Sequence, residues 1–65
     1  MNYRFELANP ISTNLLAAFP ELRSESADTA GAILDGVIVD QAHLHSVLHR
    51  IESLGLTLVE LRRLP

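Results

Sequence analysis

Tyr3, Phe5 and Leu7 alternate with Arg4 and Glu6 near the start of the chain, so an extended backbone would turn three apolar side chains one way and two charged ones the other. That period of two predicts a half-buried strand over residues 3–7. Ala8-Asn9-Pro10 ends it, because proline has no N–H for a ladder. In the next run, Ser12 suits a helix N-cap, and Ile11 and Leu16 stand at the spacing of a hydrophobic staple. Leu15, Leu16 and Phe19 share a face and Pro20 stops the helix. An isolated helix this short does not persist in water, so it must dock on a sheet.

The stretch ELRSESA, residues 21–27, is polar and predicts an edge strand, where charge discourages pairing with another molecule. DTAG supplies a turn at residues 28–31. AILDGVIV, residues 32–39, is continuously apolar enough for a central strand, with Gly36 marking a bulge or a close backbone approach. Asp40 then caps a long helix that Gly55 ends. Leu44, Val47, Leu48, Ile51 and Leu54 fall at helical spacing and define its apolar stripe. LTLVELRRL, residues 56–64, closes the chain as a strand, with Val59 and Leu61 on one face and Leu58, Glu60 and Arg62 on the other.

This order is β-α-β-β-α-β. It predicts an α+β, ferredoxin-like fold with a four-stranded antiparallel sheet and two helices on one face. Residues 1–65 form a single domain. The alternation in the first and last strands leaves the other sheet face charged and open.

Composition narrows the function. With 48% hydrophobic residues the chain has material for a core, so disorder is not expected. At 65 residues the core is small, and a second copy would hide more apolar surface. The absence of cysteine removes disulfides, thiolate metal sites and cysteine nucleophiles, and is compatible with a cytoplasmic location. No signal peptide is visible, and no apolar run approaches the roughly 18 residues of a membrane helix. The net charge is −3 and the five basic residues, all arginine, are spread along the chain. Nucleic-acid binding needs a basic face to release counterions, so it is not expected.

His43, His45 and His49 crowd one helix, yet they do not form one cluster. At about 100° per residue, His43 lies on the flank of the apolar stripe while His45 and His49 lie outside it. His45, His49 and Glu52 share a side and make the one candidate metal set, although HExxH is absent because Ser46-Val47-Leu48 separates the histidines. Two imidazoles make only half a site, so a solvated helix face that carries histidines is the preferred reading. Ser46 adjoins His45 but neighbours on a helix splay apart, so no nucleophile–base pair is formed. No catalytic residue and no cofactor are assigned.

From Gly36 to Leu61 the chain resembles a group of small bacterial proteins without an assigned function. Their pattern has a YR-type strand, a run G-P-V-V-D-Q-A-x-L-H-x-L-L, and a helix ending in L-G-L before a final strand. Asp40, Gln41, Ala42, Leu44 and His45 match the run, whereas Val37 stands in place of its proline and His43 and His49 fall where the pattern specifies nothing. The resemblance implies a small cytoplasmic domain and no activity. Gln41 and His45 are one turn apart and offer a joint polar patch for binding, or simply stabilise the helix start.

The expectation is a non-catalytic interaction or self-association module, with a second copy or a protein partner meeting Leu58, Leu34 and Leu64 or the edges of strands two and four. The alternatives are a small-ligand regulatory domain lined by Gln41, His45 and the backbone around Gly36, and a histidine-based metal-binding domain.

Overall fold

The structure is a computed structural model and describes residues 1–25 and 31–65. It contains β1 (Asn2–Leu7), α1 (Thr13–Leu16), β2 (Leu22–Glu25), β3 (Ala32–Val37), α2 (Gln41–Ser53) and β4 (Leu58–Leu64). The strands form one antiparallel sheet in the order β2-β3-β1-β4. This is the expected α+β arrangement of two helices and a four-stranded sheet. The turn expected from DTAG, and the end of the expected second strand at residues 26–27, lie outside the described residues.

Period two governs β1. Phe5 and Leu7 are buried and Tyr3 packs beside them, while Arg4 and Glu6 point away. Phe5 stands opposite Leu34 of β3 and Leu61 of β4, so one cross-strand row carries three large apolar side chains. Val47 and Ile51 of α2 complete the core, with Leu44 and Leu48 packed against it. Ile11, Leu16 and Phe19 join the same cluster from the β1–β2 connection. Both helical segments therefore serve one face of the sheet.

The caps behave as the sequence predicts. Ser12 Oγ accepts from Leu15 N–H at 3.1 Å, and Asp40 Oδ1 accepts from His43 N–H at 2.8 Å. Gly55 follows α2 with φ 76°, the left-handed turn that favours glycine.

Four differences from the sequence-based expectation bear on the packing. First, α1 is a single turn: beyond Leu16 the chain tightens into i→i−3 bonds, Ala18 N–H to Leu15 O and Phe19 N–H to Leu16 O. Second, β3 ends at Val37, although Ile38 still exchanges two hydrogen bonds with Met1. Third, Leu54 is the C-cap of α2 and is exposed, so the apolar stripe ends at Ile51.

The fourth difference reverses a face. The β1–β4 register shifts between Glu6 and Leu7: Glu6 opposes Glu60, but Leu7 opposes Leu58. Val59 is the extra residue of a bulge, and it is 63% exposed. Leu58 thereby turns to the core side with Leu7, correcting its expected place on the outer face. Leu34, expected to accompany it there, is fully buried opposite Phe5. Leu64, opposite Asn2, is the one of the three that lies on the open face.

Gly36 marks a close approach, with no bulge in its pairing. It faces Leu22 across β2–β3, and a Cβ there would come within 2.8 Å of Leu22 Cδ2 and still closer to the Glu21 carbonyl oxygen.

The bulge can be tested by paired truncations. Leu58→Ala should cost about 1–2 kcal/mol of unfolding free energy, and Val59→Ala less than about 0.5 kcal/mol. Urea denaturation of both variants checks this; equal losses would place Val59 in the core.

Candidate functional site

The three histidines separate as their helix angles require. Gln41, His45, His49 and Glu52 are all exposed on α2. The side chains of Gln41 and His45 make no hydrogen bond to each other, and among the described residues no three His, Asp or Glu side chains converge within reach of one metal ion.

His43 is the histidine with partners. Val39 N–H donates to His43 Nδ1 at 3.0 Å, so the ring proton sits on Nε2 and is donated to Glu21 Oε2, also at 3.0 Å. Arg50 lies seven residues on, along the same flank of α2, and grips Glu21 through both terminal nitrogens at 3.0 and 2.6 Å. One of those nitrogens also donates to the Ala18 carbonyl at 2.6 Å, and the guanidinium carbon stands 5.5 Å from the centre of the Phe19 ring. The Arg50 hydrogen bonds hold the Glu21 carboxyl down at about 2, against the opposing effect of its partial burial; Glu21 in turn raises Arg50. This cluster satisfies itself. It fastens α2 to the segment between α1 and β2 and leaves no group free to act on a substrate.

Nothing within one helix or strand announces this cluster. The readable signal was the seven-residue spacing of His43 and Arg50, which puts two donors on one flank and asks for an acid. Which acid answers depends on the β1–β2 connection.

The other concentration of polar groups is the open face of the sheet. The ladder registers place Arg23, Asp35, Arg4 and Arg62 side by side in one row across β2, β3, β1 and β4. Two residues along, Glu25, Ile33, Glu6 and Glu60 form the next row. Val37, Asn2 and Leu64 form a third at the end of the sheet. A basic row thus lies against an acidic row.

Asp35 is the buried acid of this surface. Its side chain is only 10% exposed, and Arg23 Nε donates to its Oδ1 at 3.3 Å. The sequence contained a sign of this: an aspartate inside an apolar central strand, alternating away from Leu34, needs a cation on the neighbouring strands. The remaining ion pairs are loose. Arg4 is 3.9 Å from Glu25 and Arg62 is 3.5 Å from Glu60. Arg4 Nε is covered yet meets no acceptor, and Glu6 meets no cation, among the described residues.

Beside these rows lies a shallow hollow of about 470 Å³, bordered by Asn2, Glu21, Arg23, Asp35, Gly36, Val37 and Leu64. Gly36 was expected at a binding spot; Gln41 and His45 do not border this hollow. No described helix is long and apolar enough to cross a membrane.

Fold and surface together define a small α+β domain with one covered sheet face and one charged, uncovered face. The chain belongs to the family described as Domain of unknown function (DUF8691), whose pattern matches residues 2–62. Neither a curated protein nor a solved structure matches it.

The Glu21 cluster makes stability pH-dependent in a defined direction. Its folded pKa lies below the ordinary 4.5, so its contribution is present at neutral pH and is lost as pH falls from about 5 towards 2. Between pH 7 and pH 3 the native protein should lose about 1–3 kcal/mol more than Glu21→Gln does. Urea unfolding at the two pH values measures the difference; parallel losses would remove Glu21 as the linked group.

Proposed function

We propose that this chain is a small, non-catalytic protein-interaction module of ferredoxin-like topology, working in the cytoplasm, whose open sheet face docks a second copy or another protein. The strand order β2-β3-β1-β4 with helices after β1 and β3 supports the topology. The single observation that carries the function is the pair of oppositely charged rows laid across a face that neither α1 nor α2 covers. A face that serves only to dissolve the protein needs no such segregation by sign. Mutual satisfaction of Glu21, His43 and Arg50 supports a binding role over a catalytic one, since those polar groups that do converge are spent on holding the fold.

A second reading has one observation in its favour. The hollow beside Asp35 joins apolar Val37 and Leu64 to the polar ends of Asn2 and Arg23, the mixture a small ligand uses for burial and orientation. A ligand of that hollow would raise the melting temperature by mass action. A screen of amino acids and nucleotides that leaves it unmoved removes this reading.

The docking reading is tested by a photo-crosslinking residue placed at Ile33, on the open face, or at His49, on the exposed side of α2. Ile33 should give a discrete higher-mass adduct, in concentrated protein or in extract of the producing cells, and His49 none. Adducts from His49 alone would move the contact to the helical side and end the proposal.

A further inference from the structure

We propose that the occupant of the open face is a second copy of this chain, stacked sheet on sheet about a two-fold axis that runs between the arginine row and the glutamate row, parallel to both. This rests on the reading of the open face as an interaction surface and names its partner.

The argument is one of symmetry. Rotation about such an axis keeps each strand in its own column but exchanges the two rows. Arg23 of one copy then lies over Glu25 of the other, Arg4 over Glu6, and Arg62 over Glu60. Three of the four columns oppose a cation to an anion, and each opposition occurs twice. The fourth column sets Asp35 over Ile33, where Asp35 already has Arg23 as its cation. Shifting the copies by one row would set arginine on arginine in one direction and glutamate on glutamate in the other. The face is complementary to itself in one register only.

The groups left over within one copy fit the same arrangement. Among the described residues Glu6 meets no cation, and Arg4 has only the loose 3.9 Å pair with Glu25. They are two residues apart on central strand β1, and the axis passes between them. Aligned sheets drift apart at their edges by about 30° but stay in register at the centre, so Arg4–Glu6 is the best-placed pair. Arg23 binds Asp35 through Nε alone and its side chain is 82% exposed, leaving the terminal nitrogens for Glu25 of the other copy.

Size sets the strength. Four strands about 4.8 Å apart and about six residues long give a face roughly 20 Å square. That is small beside the ~800 Å² per partner of a standard interface. The association is therefore weak and fast, and strongest at low ionic strength, where the Debye length reaches about 30 Å.

Sedimentation equilibrium from about 10 µM to 1 mM provides the test, in roughly 20 mM and 500 mM salt. The wild-type chain should dimerise at low salt and dissociate at high salt. Arg4→Glu and Glu6→Arg should each abolish the dimer, because each then opposes like charges. Mixed in equal amounts, the two variants should form a heterodimer, since every like pair becomes an unlike one; recovery on mixing also excludes misfolding as the cause of the loss. A wild-type chain that stays monomeric throughout overturns the second-copy inference and leaves the open face to a different protein. A dimer indifferent to salt and to both substitutions overturns this inference together with the open-face reading. If a variant fails to fold, the wild-type salt series decides alone.

Discussion

Phe5 stands between Leu34 and Leu61, and the row they make is pressed beneath Val47 and Ile51. In so small a domain this row does more than bury area. Strand side chains alternate, so a slip of one residue anywhere along β1 would bring Arg4 or Glu6 into the core in place of Phe5. The cost of burying an unpaired charge there exceeds anything a shifted ladder could return. Apolar packing on one side therefore fixes the register, and the register alone dictates which charges become neighbours on the other side. Arginines line up with arginines and glutamates with glutamates as a by-product of where Phe5 sits. The charged surface is in this sense written by the core.

Attachment of the helical layer relies on a different kind of force. α1 is one turn long and contributes no fully buried residue. Phe19 does the packing, and it sits just beyond that turn. The clasp of Glu21 by Arg50 and His43 locks this otherwise weakly structured connection to α2. Arg50 also covers the Phe19 ring, so one side chain serves both the polar and the apolar part of the junction. Glu21 itself also borders the hollow on the open face, so the same segment links the two sides of the sheet.

Much of the fold was legible because it is local. The alternation of Tyr3, Phe5 and Leu7, the cap at Asp40 and the stop at Gly55 each rest on a few adjacent residues and one rule. Leu58 was misplaced because a bulge is a relation between two strands: nothing within LTLVELRRL says that Val59 will be passed over. The candidate site was less legible still. Asp35 carried a visible signal, an acid in an apolar strand, but its arginine emerges only when β2 is set beside β3. His43, on the flank of the stripe, proved the bonded histidine because Glu21, twenty-two residues earlier, comes to meet it. His45 and Gln41 share a side of the helix as their spacing required, and that spacing carries no information about what they face.

The bulge at Val59 bears on how far any assembly can grow. β4 is an edge strand, and an unbroken edge offers its free amides to the next molecule without limit. An extra residue interrupts the run of evenly spaced donors and twists the strand end away from a flat approach. Lateral growth into ribbons or fibres is thereby discouraged, while contact through the broad side of the sheet is left unaffected. A protein built this way favours closed, countable complexes over open-ended polymers.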